Sequence, residues 1–494
     1  MLYRSLFVTL ACLLLMISSV DADTTLDPDL ADALRTVAPD KEFPVIVTLA
    51  DKANIADIRE TNRSRQRERI IAHLRTKAEN SQKSVRAFLY TNNAKRVHPF
   101  WINNSIAVTA NTAIIKKLAA MPGIESIRID QTFHAPTTAY IPAADSWNLP
   151  AINALEMWSL GFTGQGVLVA TLDTGVDGQH PDLAGRWRGG SNSWFDPHDQ
   201  HTTPYDAAGH GTGVMGLIIA SHSDGSAIGI APDAQWIAGK LFNDAGSANF
   251  SDIHACFEWV LDPDGNPNTD DTPDVVNNSW GFKNNVNQCI SDFEEDIEAL
   301  QAAGITVVFA AGNTGPNQST SISPANYVIS FSVGMIDENL IIDSASARGP
   351  SACDSAIYPK VVAPGAGVQT CDLYGGYATV WGTSFASPHV SGSLALLRSA
   401  FPARPAAHLE WALMNSTRDL GTPGPDNIYG NGLINTAAAY RLLLCDISAD
   451  GHIDYLDFAL FADKWLTADP QSDLNSYDPI NMADFAILAS YWKK

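Results

Sequence analysis

Four short stretches of this 494-residue chain carry side chains that could do chemistry together. The most telling is Trp381-Gly382-Thr383-Ser384-Phe385-Ala386-Ser387-Pro388-His389. A Gly-Thr turn precedes Ser384, and the apolar run at 390–397 predicts a buried helix behind it. Pro388 is placed near the start of that helix, where a missing N–H costs little. A serine at a helix N-terminus has its hydroxyl held out on a fixed element. Free backbone N–H groups lie beside it, aimed where an oxyanion would form. That is the setting of a nucleophile, but a plain turn opening a core helix would look the same, so the case rests on partners.

Three places supply them. Asp173 ends the apolar run 167–172 in Asp173-Thr174-Gly175-Val176-Asp177. Gly209-His210-Gly211-Thr212 puts an imidazole at the start of the apolar segment 214–220. Asn313 follows Ala311-Gly312 at the end of the run through Phe309. Singly, each reads equally well as a turn former, a satisfied core histidine or an ordinary loop residue. Together with Ser384 they fill every role of a serine-hydrolase scheme. The hydroxyl attacks a carbonyl, His210 moves the proton, Asp173 fixes the imidazole, and Asn313 with the Ser384 N–H receives the oxyanion.

On these residues the chain resembles the subtilisin-like serine proteases, or subtilases; the order Asp, His, Ser is that of subtilisin itself. The likeness extends to enzymes of the bacillopeptidase F type through Asp274-Val275-Val276-Asn277-Asn278-Ser279-Trp280-Gly281. It implies a secreted serine endopeptidase acting on proteins and peptides through an acyl-enzyme, with no cofactor for catalysis. It also implies that Ser279, Trp280 and Gly281 line the primary specificity pocket. Physically, a strand edge there could pair with an extended substrate. His389 is assigned to the nucleophile helix, not to a second base.

The elements that must position these groups follow. Apolar runs at 167–172, 236–238, 275–276 and 305–310 read as buried parallel strands, with helices at 253–260 and 292–303 between them. The expected fold class is α/β: a doubly wound, mostly parallel sheet with helices on both faces, its chemistry at the carboxyl ends of strands. Ahead of it, residues 43–49, 55–90, 101–110, 112–120 and 124–129 alternate strand and helix patterns and predict a small α+β, ferredoxin-like unit. Residues 26–40 lack clear periodicity and are expected to be a poorly ordered lead-in. Residues 132–141 read as an exposed connector. Trp101-Ile102-Asn103-Asn104-Ser105-Ile106-Ala107-Val108-Thr109 and Leu118-Ala119-Ala120-Met121-Pro122-Gly123-Ile124 resemble the subtilase propeptide. That resemblance implies an intramolecular inhibitor and folding aid removed by self-cleavage, between about 131 and 141.

The N-terminus has Arg4, an apolar run at 6–20 and Val20-Asp21-Ala22, the pattern of an export signal. The expected divisions are therefore 1–22 signal, 23–139 propeptide with a folded core at 43–131, 140–441 peptidase, and 442–494 a terminal module. The location expected is extracellular, with cell-envelope association left open. Charge supports part of this. The net charge of −23 argues against nucleic acid as a partner. Yet residues 41–131 hold 16 Lys and Arg against 8 Asp and Glu, whereas 132–494 hold 13 against 40, which suggests a basic clamp on an acidic host. No second stretch is long enough to span a membrane. Once Cys12 leaves, five cysteines remain. Cys256–Cys289 and Cys353–Cys371 are the expected pairs if the thiols oxidise.

The tail repeats itself: Asp457-Phe458-Ala459-Leu460-Phe461-Ala462 and Trp465 recur as Asp484-Phe485-Ala486-Ile487-Leu488-Ala489 and Trp492. Before the first copy, Asp446, Ser448, Asp450, Asp454 and Asp457 occupy loop places 1, 3, 5, 9 and 12, with His452 offering its carbonyl at place 7 and Gly451 at the sharp sixth. The second loop keeps Asp473, Asn475, Asn481 and Asp484 but has Tyr477 and Asp478 where a ligand and the glycine belong. The tail resembles a dockerin module, a small all-α calcium-loop unit, which implies calcium and a cohesin-like partner. Asp262-Pro263-Asp264-Gly265-Asn266-Pro267-Asn268 also looks like an ion loop, but its two prolines and missing twelfth carboxylate favour a surface insertion. The stretch His198-Asp199-Gln200-His201 is read as a solvated loop.

Rival readings are a protease-fold adhesin or scaffold that has lost its chemistry, an aspartic protease built on Asp173-Thr174-Gly175, and an acid-adapted Glu–Asp–Ser relative. The aspartic reading needs a second such aspartate, and the chain has no second Asp-Thr-Gly or Asp-Ser-Gly. His210 and Asn313 speak against the acid-adapted one.

Overall fold

The computed structural model describes residues 25–141, 147–221, 228–469, 472, 474 and 479–492. The expected signal, and Asp473, Asn475, Tyr477 and Asp478 of the second tail loop, lie outside them. Among the described residues no helix is long and apolar enough to cross a membrane.

Seven strands make the central sheet, in the order Val361–Pro364, Phe331–Ile336, Thr306–Ala310, Val275–Asn278, Leu168–Asp173, Gln235–Lys240, Trp194–Phe195. Every pairing is parallel. Parallel strands need both faces covered, and the sequence meets this with β-branched runs that are buried on both sides. On one side lie the helices His210–Ile219 and Thr383–Ala400; on the other lie Phe250–Leu261 and Glu294–Ala302, each side with its own apolar core.

The nucleophile helix, Thr383–Ala400, is buried from Thr383 to Arg398. Pro388 sits deeper than its expected place in the first turn. The carbonyl of Ser384, which an N–H at 388 would have engaged, instead accepts the Ser279 Oγ hydrogen at 2.7 Å. The proline is thus tolerated because a neighbouring strand end supplies the missing donor.

The N-terminal unit is a five-stranded sheet in the order Thr25–Leu26, Ile124–Ile129, Glu42–Leu49, Ser105–Asn111, Lys95–Phe100. The period of two is visible in its burial. Val45 and Val47 enter the unit's own core, whereas Ile46, Phe100 and Ala107 pack onto the core around Phe250–Leu261 and Glu294–Ala302. Residues 26–40 are not a disordered lead-in. Asp27 caps the helix Pro28–Thr36, Pro28 opens it, and Leu30 and Leu34, one turn apart, are buried. The helical pattern at 55–90 resolves into Arg63–Ser81 and Lys83–Thr91, and 101–110 into a hairpin with Lys95–Phe100.

The expected disulfides do not form. Cys289 bonds to Cys353, while Cys256, Cys371 and Cys445 are buried free thiols. Residues 132–141 are no loose connector either. Thr132–His134 pairs antiparallel with Ser247–Asn249, and Ala139–Ile141 with Gly376–Trp381. In the tail, helix Thr436–Cys445 leads into the first loop and then into Tyr455–Asp463, whose Phe461 packs in the peptidase-side core with Leu488 of Met482–Ser490.

Candidate active site

The carboxyl edge of the parallel sheet gathers the predicted residues. Asp173 closes the strand Leu168–Asp173, Ser279 follows Val275–Asn278, and Asn313 follows Thr306–Ala310. His210 begins its helix from Gly209, and Ser384 lies in the first turn of its own.

His210 Nδ1 stands 2.7 Å from Asp173 Oδ1, with both side chains buried. Asp173 Oδ1 also accepts the Thr174 N–H at 2.7 Å. Burial alone would push the imidazole down. The charge and hydrogen bond of Asp173, with the charge of Asp206, outweigh it and hold His210 above its ordinary 6.5. Gly211 must be glycine, because a Cβ there would fall 2.1 Å from the Gly175 carbonyl.

Ser384 Oγ donates to the Ser279 carbonyl at 3.0 Å, and His210 Nε2 is buried with no hydrogen-bond partner. The His210 ring lies 5.4 Å from that of Phe385, beside the serine. The Asp173–His210 pair is therefore formed, while the Ser384 hydroxyl occupies a different bond.

Asn313 is aimed by a residue the motif reading passed over. Its Oδ1 accepts both the Thr383 N–H and the Thr383 hydroxyl at 2.9 Å. The Thr383 Oγ1 in turn accepts the Gly312 N–H at 3.0 Å. With its oxygen tied down, the Asn313 amide nitrogen is turned out beside Gly382, 3.2 Å from where a Cβ would stand. Gly382 has φ +142°, a conformation open to glycine. Asp206 was also missed: its Oδ2 takes both the N–H and the hydroxyl of Thr212, and its Oδ1 takes the N–H of Gly209, which fixes the start of the histidine helix.

Ser279, Trp280 and Gly281 line a cleft of about 280 Å³ together with Gly312, Asn313, Ile322 and Ser384. Only part of each residue faces it. The Ser279 hydroxyl is spent on the nucleophile helix. Trp280 is 3% exposed and packs in the core, tilted against Phe257 and Phe282 and edge-on to Phe309. His389, by contrast, is fully engaged: Nδ1 bonds the Phe385 carbonyl and Nε2 meets Asn148 Nδ2, and burial pushes the ring down to about 4.

The chain's own connecting segment forms part of the cleft wall. His134, Pro136 and Thr137 line it. Phe133 sits in an aromatic nest of Phe242, Phe250, Trp280 and Phe282, with ring centroids 5.0–6.3 Å away. Ala135 N still pairs with the Gly246 carbonyl at 2.9 Å.

In the tail, Asp446 accepts the N–H groups of Asp450 and Gly451, and Asp457 those of Ser448 and Asp454. Gly451 has the positive φ that the sixth loop place requires.

The subtilase family profile matches residues 164–432. Bacillopeptidase F of Bacillus subtilis (strain 168) is 35% identical over 409 residues, 75% of this chain and 28% of that protein. Subtilisin E of the same organism is 32% identical over 339 residues, 68% of this chain and 80% of subtilisin E. Subtilisin Savinase of Lederbergia lenta is 35% identical over 296 residues, 60% of this chain and 98% of the relative. The chain thus spans less than a third of bacillopeptidase F but most of the shorter relatives.

Proposed function

The chain belongs to the subtilase family of serine-type endopeptidases, and we propose from that premise that Ser384, His210 and Asp173 hydrolyse peptide bonds of protein substrates through an acyl-enzyme. The observation that carries the reading is the buried Asp173–His210 pair, 2.7 Å apart, beside a serine at a helix N-terminus. A turn of the Ser384 side chain away from the Ser279 carbonyl brings its hydroxyl to the unpartnered His210 Nε2. His210 then takes the proton as Ser384 attacks, and returns it to the leaving amine. Asp173 holds the tautomer and stabilises the imidazolium. The Asn313 amide and the Ser384 N–H receive the oxyanion.

Residues 25–131 act as a propeptide whose continuation lies in the cleft as a substrate-like strand. Pro136 has no N–H to offer a neighbouring carbonyl, which suits the Ser279 carbonyl taking the Ser384 hydroxyl instead. Self-cleavage falls between Ala135 and Thr138, and the protein is exported before it matures. Ser384→Ala tests this directly: the purified variant stays uncleaved and inactive on peptides, whereas the native chain yields an N-terminus at Pro136, Thr137 or Thr138. A Ser384→Ala chain that trims itself would overturn the reading.

The terminal module binds calcium. Its donors are all oxygen, as a hard cation requires, and would be Asp446, Ser448, Asp450, Asp454 and Asp457 with the His452 carbonyl. Calcium there would neutralise the carboxylates and order the loop ahead of Tyr455–Asp463; it supplies nothing to hydrolysis. The module's partner is a cohesin-like domain.

A further inference from the structure

The insertion after helix Phe250–Leu261 is at the surface, as its prolines suggest, but its two ends are buried. One carboxylate oxygen from each of Asp262, Asp264 and Asp271 lies within 4.8 Å of the others. Asp262 and Asp271 are each only 6% exposed. Asp271 Oδ2 is held by Asn192 Nδ2 at 2.8 Å, but its Oδ1 is buried and accepts nothing. Asp262 Oδ2 is likewise buried, and a guanidinium is its partner. Asp264 Oδ1 takes the Asn266 N–H at 2.8 Å. An orphaned anionic oxygen on Asp271, inside a three-carboxylate cluster, is costly unless a cation faces it.

A cation does face part of the cluster, and it comes from the N-terminal unit. Arg75 Nη2 lies 2.5 Å from Asp262 Oδ2, and Arg75 Nη1 donates to the Gly265 carbonyl at 3.0 Å. Arg188 Nη1 donates to the Asp271 carbonyl at 2.5 Å, so it addresses the backbone, not the free carboxylate oxygen. One guanidinium cannot match three carboxylates.

We infer that Asp262, Asp264 and Asp271 form a divalent-cation site of the calcium type, whose occupancy Arg75 of the N-terminal unit restrains by charge. All-oxygen, carboxylate-rich donors select calcium over zinc or copper. The Gly265 carbonyl, freed from Arg75, completes the donor set. The site stands apart from the terminal loop and from the Ser384 cleft.

Calcium binding to the full-length Ser384→Ala chain, measured by calorimetry and by equilibrium dialysis with CaCl2, tests the inference without any activity readout. Asp264→Asn/Asp271→Asn in that chain loses one calcium per molecule, and Asp446→Asn/Asp457→Asn keeps that calcium. Asp264→Asn alone, at an exposed position, weakens the site at least about tenfold. Arg75→Gln, which removes a competing charge, tightens it by about tenfold. Unchanged stoichiometry in Asp264→Asn/Asp271→Asn would overturn the site, and unchanged affinity in Arg75→Gln would overturn its restraint by the N-terminal unit.

Discussion

Thr383 shows how much of the site rests on side chains that aim other side chains. It holds the Asn313 oxygen through both its N–H and its hydroxyl, so the amide nitrogen has one direction left. Asn313→Ala should lower kcat by about 10²–10³ with little change in KM, because the lost bond forms only as charge develops. Thr383→Val keeps the shape and loses the hydroxyl; about a tenfold fall in kcat is expected, again with KM nearly constant. Steady-state kinetics on one peptide series separates the two quantities. The pH dependence follows from His210. Its pKa lies above 6.5 in the fold, and the base works only when neutral. Thus kcat/KM should be low in acid and rise through a midpoint above pH 6.5. Asp173→Asn removes the charge that raises the imidazole, so the same profile should lose about 10⁴ in height. A midpoint well below 6.5 in the native chain would remove His210 from the role of base.

Much of the elements' layout was legible in the sequence, and the departures have physical causes. Runs such as 167–172 and 305–310 are buried on both faces, so they read as parallel strands, and the motif residues sit at their carboxyl ends. Asn313 and His210 were found because each follows or begins such an element. Thr383 and Asp206 were not, because their roles are hydrogen bonds between loops, which carry no periodic signal. The helix at 28–36 was hidden by its shortness: two buried leucines and a cap are too few for a pattern. The disulfide pairing was not legible, because nearness in the fold decides it and leaves no trace in sequence spacing. Cys289 and Cys353 are 64 residues apart in sequence, yet their Cα atoms are 4.9 Å apart. Replacing both by Ser should cost roughly 4 kcal/mol of stability by the loop-entropy estimate, read as a lower denaturant midpoint with a steeper slope, because the uncrosslinked unfolded chain expands. Residues 132–141 read as a connector because their pairing partners at Ser247–Asn249 and Gly376–Trp381 are far away in sequence.

At the scale of the whole molecule, the charge asymmetry of the sequence becomes an interface. Lys52 pairs with Glu295, Arg63 with Asp274, Arg67 with Asp270, Arg75 with Asp262 and Arg128 with Asp292. Apolar contact lies beneath them, where Ile46, Ile70, Ile71, Leu74 and Phe100 join the catalytic unit's core. Partly exposed pairs are screened by salt, whereas apolar burial is not. After cleavage, the N-terminal unit should therefore stay bound at low ionic strength, and its dissociation constant should rise on the order of tenfold by 1 M NaCl, as size exclusion or inhibition assays would report. Glu258, which accepts the N–H groups of Trp101 and Ile102, anchors the same interface from the peptidase side.

The most direct test of the whole account is covalent. Fluorophosphonate labelling of the purified protein, followed by mass spectrometry of its peptides, asks which atom is the activated nucleophile. The result expected is a single adduct on Ser384 whose rate follows the deprotonation of His210 and collapses in His210→Ala. Label on another residue, or an unlabelled Ser384 in a folded and processed chain, would contradict it.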